Sequence, residues 1–216
     1  MWLIDQESLH GLQPLAEKLG LILTPGVVVD PQAQQLKAPI TFALGANYGQ
    51  HPITQNFSNI TVFPFARQIN FNERKGWRNV SLIEVAQNGW VETGNLENNV
   101  SFDEMYDVAG PISIAAALSR TFQDREQHIA IIGSGHFLAN TYLGNGSNLS
   151  FGINLINWLV NDESLITIQP QATLDSNLTL SKSALTIIAT GFLIVLPIFF
   201  FAGGITVWWR RKRRRK

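Results

Sequence analysis

The chain has 216 residues, with 16 basic and 16 acidic side chains and no cysteine. Seven of the bases fall in residues 210–216 and all 16 acids precede Ser183, so nine bases face 16 acids in the remainder. Missing cysteines exclude a disulfide framework, thiolate metal sites and a cysteine nucleophile. Confining the cations to one end argues against a basic nucleic-acid-binding face.

Trp2-Leu3-Ile4, ending at Asp5, reads as a short strand. In SLHGLQPLAEKLG the residues Leu9, Leu12, Leu15, Ala16 and Leu19 recur at helical spacing, with Ser8 as cap and Gly20 as stop. Val27-Val28-Val29 follows as a buried strand ending at Asp30, and strand–helix–strand predicts a parallel sheet. ANYGQHPITQNF (46–57) reads as a long irregular connection, a kind that is usually functional or disordered. Strand-like segments surround Phe63 and Ile83, Asn88-Gly89 signals a turn, and 92–107 reads as an acidic surface loop. PISIAAALSR leads to a break at Asp124, and Ile129-Ala130-Ile131-Ile132 reads as a central strand ending at Gly133. In NLSFGINLINWLVND one helical face carries Leu149, Ile153, Ile156 and Val160, with Phe151, Leu155, Trp158 and Leu159 beside it. A helix apolar nearly all round is expected to be buried. SLITIQP supplies a last strand, closing a domain over 1–168, and 169–182 reads as a polar linker.

From Ser183 to Trp209 no residue is charged. This length exceeds the ~20 residues that cross a hydrocarbon core. Pro197, Gly203 and Gly204 are tolerated in a spanning helix, and the small glycines permit close helix approach. Trp208 and Trp209 fit the headgroup level, with Arg210 and Arg211 as anchors beyond them. Cations flanking a span are retained in the cytoplasm. Residues 210–216 are therefore expected to be a cytoplasmic tail and 1–168 an extracytoplasmic domain. MWLIDQESLHGLQPLAEKLG lacks a basic n-region followed by an apolar h-region, so either an upstream segment supplies export or the chain is tail-anchored against its charge bias; the first is the expectation, and the domain then reads as N-terminally truncated. Triplets such as Asn59-Ile60-Thr61 match glycan acceptors but read as chance in an asparagine-rich chain.

Candidate chemistry is sparse. Gly133-Ser134-Gly135, between a strand and a helix, can present N–H groups to an anion, but no lysine follows as in a phosphate loop. Ser134, His136 and His51 with Asp5 or Asp30 hold the residue types of a serine–histidine–acid set, without the G-x-S-x-G elbow. The four histidines are scattered and no HExxH occurs, so no metal is expected. Asp5 and Asp30 fall at strand ends, where open α/β sheets bind ligands, though capping is the plainer role.

The ordered series WLID, LGLILTPGVVVD, YGQHPITQNF, IAIIGSGHFLAN and NLSFGINLINWLVNDESLITIQP, then one span and a basic tail, resembles the GldG-like auxiliary components of ABC transport systems, the gliding-motility-associated type. The likeness covers essentially the whole chain and corresponds to the family's C-terminal part. It implies a partial flavodoxin-like or amidotransferase-like parallel-sheet α/β domain without established catalysis or cofactor. It also implies ABC permease and ATPase subunits as partners in a bacterial inner membrane. The family often carries acids in a G-D-x-D-F turn, where this chain has Gly133-Ser134-Gly135-His136-Phe137; Phe137 and Asn140 keep the pattern. The expected function is a non-enzymatic accessory subunit. Asp5, Asp30, His51, Ser134, His136 and Asn140 are the candidates for binding a ligand or partner, and no catalytic residue is expected. The alternative is a membrane-anchored envelope enzyme, hydrolase-like, with a site at the strand ends.

Overall fold

The computed structural model describes residues 1–72, 76–94, 96, 100–160 and 182–214. The expected last strand, SLITIQP, and nearly all of the expected linker lie outside these. The chain divides into two compact units, Met1–Thr173 and Leu174–Lys216.

The first unit opens with β1 (Trp2–Leu3), α1 (Gln13–Leu19), β2 (Leu21–Leu23), β3 (Val27–Val29) and α2 (Pro31–Gln35). It continues through β4 (Phe42–Gly45), β5 (Asn47–Tyr48), β6 (Thr61–Pro64), β7 (Ile69–Phe71), β8 (Arg78–Val85) and β9 (Trp90–Glu92). It ends with β10 (Val108–Ala109), β11 (Ile112–Phe122), β12 (Arg125–Ile132), α3 (Asn140–Leu143) and α4 (Asn148–Leu159). Helix α1 starts later than the apolar spacing implies. His10 and Gly11 take positive φ, 46° and 90°, which breaks the run, and Pro14 sits in the first turn, where its missing N–H costs nothing. Ser8 is therefore not the cap. Gly20, at φ 73°, stops the helix as expected.

The main sheet has the order β1-β12-β11-β8-β5. It is not the parallel sheet that the strand–helix–strand pattern predicts. Among the described residues only β1 and β12 run parallel, with Trp2 opposite Ile131 and Leu3 opposite Ile132. The strands after α1 leave that sheet, β2 to pair antiparallel with β7 and β3 to pair antiparallel with β9. The antiparallel character comes from the hairpin of β11 and β12, paired from Ala115–Ile132 to Phe122–Arg125. Its two-residue loop places Gln123 and Asp124 at φ 50° and 58°, the conformation that matches strand twist.

Both faces of this sheet are covered. Ala115 and Ala117 of β11, with Ala130 and Ile132 of β12, face Phe151 and Leu155 of α4. Ala116 and Leu118, with Ile131, face Ala16 and Leu19 of α1, together with Leu21 and Ile69. This alternation is the period of two that an extended strand imposes. Each fully buried Ile, Leu or Phe contributes roughly 1.5–3 kcal/mol, so the middle of the hairpin is the natural centre of stability.

Helix α4 buries a different face from the one its strongest apolar spacing suggests. Phe151 and Leu155 are inside, while Leu149, Ile156 and Val160 are exposed. Gly152 explains the choice, because a Cβ there would lie 2.6 Å from Leu138 Cδ2. The hydrogen bonds of Asn148 fix the same rotation.

The second unit is one helical run, α5 (Lys182–Thr190), a π-type turn over Gly191–Val195, and α6 (Leu196–Arg213). Its apolar stretch, Ile188–Arg210, has 23 residues and no part of it is buried. At 1.5 Å per residue this is roughly 34 Å, enough to cross a bilayer. The wide turn precedes Pro197. Proline supplies no N–H and its ring crowds the carbonyl four residues back, and widening the spiral there relieves both problems.

Candidate functional site

The parallel pair creates the one place where two strands among those described end side by side. Ile4 N–H donates to Ile132 O at 2.8 Å, which aligns the exits of β1 and β12. Asp5 then meets the turn Gly133–His136. Its Oδ2 lies 3.2 Å from His136 Nδ1. That nitrogen is shielded from solvent, and the contact is out of line for a hydrogen bond. A Cβ on Gly135 would lie 3.2 Å from the same Oδ2, so the small residue lets the carboxylate settle against the turn. Among the described residues the hydrogen bond to this carboxylate comes from Gln6 N–H, at 3.0 Å to Oδ1, and not from the turn.

Gly133 has a stricter requirement. A Cβ there would stand 2.1 Å from Arg67 O, and the two backbones are joined by Arg67 N–H donating to Gly133 O at 2.6 Å. The Arg67 guanidinium bonds Thr24 O at 3.1 Å and reaches Asp5 O and Glu7 O at 3.4 Å each. It ties the exit of β1 to the segment after β2. Burial draws the Arg67 pKa down from its ordinary value.

Aromatic rings wall the other side. His136 lies edge-on to Phe65 (6.0 Å) and Tyr142 (6.2 Å), and Phe42 meets both of those rings. Phe65 has φ 50°, an outlier for a bulky residue. Its N–H donates to Thr41 O at 2.9 Å, and its carbonyl accepts from Gln6 Nε2 at 3.1 Å.

The structure therefore brings together two of the six residues proposed from sequence, Asp5 and His136. The other four do other things. Ser134 is fully buried and donates its hydroxyl to Pro64 O at 2.8 Å. Asp30 is also buried and caps α2, accepting from Gln32 N and Leu44 N at 3.0 Å each. The Asn140 side chain is exposed at the start of α3.

His51 belongs to another cluster, edge-on to Trp158 at 4.8 Å, while His128 stacks on the same indole at 4.2 Å. Its Nδ1 accepts from Ile53 N at 3.2 Å. Burial lowers the His51 pKa, and the charge of His128 adds to the effect. The loop 48–57 beside it encloses an open depression of about 520 Å³, lined by Tyr48, His51, Thr54 and Phe57 among others.

A serine–histidine–acid relay is thus not assembled. Ser134 directs its proton to a backbone carbonyl, and neither histidine is its partner. Among the described residues, no three His, Asp or Glu side chains are grouped as metal ligands would be. Asp5 and His136 lie side by side, and Ser134, the hydroxyl nearest His136 in sequence, is committed to Pro64 O.

One residue that sequence reasoning passed over holds the site's frame. Asn148 is fully buried and accepts from Val62 N at 2.8 Å. Its amide nitrogen donates toward Val62 O (2.8 Å), Phe137 O and Tyr142 O (3.1 Å each). The available signal was an asparagine in the first turn of a mostly apolar helix, though Asn154 and Asn157 share the type. Arg67 carried a comparable signal, a lone cation inside FPFARQINF.

On the long apolar helix, Trp208 and Trp209 are exposed, with Lys212 Nζ 5.0 Å from the first ring and Arg213 Cζ 5.1 Å from the second. Arg210 is exposed on the same helix, which also includes Arg211.

No family model matches the chain, and no curated protein matches it. A solved structure described as "mmIFT52 N-terminal domain" is similar at 14% identity and a TM-score of 0.48, over 69% of this chain. The chain spans 57% of that structure's length. At this level the similarity bears on neither function nor partners.

Proposed function

We propose that the chain is a non-enzymatic, membrane-anchored accessory subunit of a GldG-like ABC-type transport system in the bacterial inner membrane. Its mixed α/β domain is extracytoplasmic and binds a partner or an envelope ligand. Its helix packs against the permease, and its basic end is cytoplasmic. The observation that supports this best is one unburied apolar helix of membrane length, bounded by two tryptophans and a block of cations, joined to an α/β domain. The employment of Ser134 and Asp30 in backbone hydrogen bonds favours the non-enzymatic reading over the hydrolase-like one.

Two measurements test it. Affinity purification of the full chain from gently solubilised membranes is expected to bring down an ABC permease and its ATPase in fixed ratio. Finding neither, with the chain intact and folded, overturns the transport assignment. In sealed right-side-out vesicles, protease is expected to reach the domain and not the tail. The reverse pattern overturns the orientation.

A further inference from the structure

Between β9 and β10 lies a short turn that is rigid and, on its outer side, apolar. Asp107 Oδ2 accepts from Asp103 N at 2.8 Å, and Asp103 Oδ1 accepts from Met105 N at 2.9 Å. Asp107 N–H returns to Asp103 O at 2.8 Å, and Asp107 Oδ1 holds Thr93 N at 3.1 Å. Phe102 packs edge-on to Trp90, with 6.1 Å between ring centres, which secures the base. Carboxylates spent on backbone N–H groups make the turn stiff. Yet Met105 is 79% exposed and Tyr106 68% exposed. These residue types are enriched at interface cores, and presenting them on a preordered turn removes the entropy cost that weakens flexible loops.

We propose that Phe102–Asp107 is a preformed docking knob, whose Met105 and Tyr106 seat in an apolar pocket rimmed by lysine or arginine on a partner protein. The rim follows from charge. Asp103, Glu104 and Asp107 surround the two apolar side chains within six residues, and a complementary surface is cationic there. The same three carboxylates argue against insertion into lipid, since ionised groups are costly in hydrocarbon and anionic headgroups repel them. The proposal rests on the accessory-subunit reading only in requiring that the domain bind a protein.

The test is site-specific photo-crosslinking of the full chain in its own membranes. Benzophenone-bearing residues replace Met105, Tyr106 and, as a control outside the turn, exposed Leu36. The expected result is an adduct with one other protein from positions 105 and 106 only, the crosslinked peptide being apolar and flanked by lysine or arginine. Glu104→Lys, which alters a side chain outside the hydrogen-bond network, is expected to cut adduct yield about tenfold, the scale of one lost hot-spot contact. Unchanged circular dichroism then shows that the fold is intact. Equal adducts at Leu36, adducts with lipid or a second copy, no protein adduct, or indifference to Glu104→Lys would each overturn the knob. An adduct with a protein unrelated to an ABC transporter leaves the knob standing and counts against the transport reading.

Discussion

Asn148 sits where the start of α4, strand β6 and the turn at Phe137 come together, and its side chain satisfies groups from each. Replacing it by alanine strands Val62 N–H and weakens three carbonyl contacts inside the core. Asn148→Ala is expected to cost about 2–4 kcal/mol, from a lost buried network rather than one bond, and urea unfolding reads it directly. His51 carries a different expectation. Its pKa is lowered in the folded chain, chiefly by burial, so the folded state resists a proton that the unfolded chain accepts near pH 6.5. The contribution is fully present above that pH and lost as pH falls below it towards the folded value. Unfolding midpoints should drop on acidification through that window, and His51→Asn, which keeps an acceptor for Ile53 N–H, should flatten the slope. Asp5, Ser134 and His136 were legible as chemical residue types. Their roles were not, because Ser134 is committed to Pro64 O and Asp5 meets His136 only through a strand pairing between distant segments.

The elements themselves were legible where composition is strong. Val27–Val29, the strand ending at Gly133 and the helix after Ser147 all appear near their expected places. Strand direction was not legible, because alternation of apolar residues says which face is buried and nothing about the neighbour. The decisive turn, Gln123-Asp124, lacks the Asn-Gly signature that announces a tight hairpin. This gives an element-scale prediction. Changing the pair to Asn-Gly keeps both positive φ values at lower cost and should stabilise the domain by about 0.5–1 kcal/mol, seen as a shift in denaturant midpoint without a change in slope. Helix α4, expected to be buried nearly all round, buries one face only. Leu149, Ile156 and Val160 form the tidier apolar stripe, but a polar side chain and a glycine set the rotation. Neither Asn148 nor Gly152 scores in an apolar pattern.

For the whole molecule, the charge division was the most informative feature of the sequence, and the membrane-length helix agrees with it. On the proposed orientation, deleting Arg210–Lys216 removes the retention signal and leaves the domain's core untouched. Thermal unfolding of the domain is expected to stay within about 0.5 kcal/mol of the parent, while protease protection in vesicles becomes mixed. Uniform protection identical to the parent would show that the tail does not set topology. The π-type turn has a consequence for any helix that lies alongside. It inserts one residue into the spiral, so the stretch from Leu196 onward is rotated by about 100° relative to the register of the stretch before it. Ser183 and Thr186 therefore do not share a continuous stripe with Gly203 and Gly204 at ordinary helical spacing. A neighbour following one stripe through the first half of the helix loses it in the second, and the two halves present different sides. Deleting a single residue between Gly191 and Val195 would bring the two stripes back into phase.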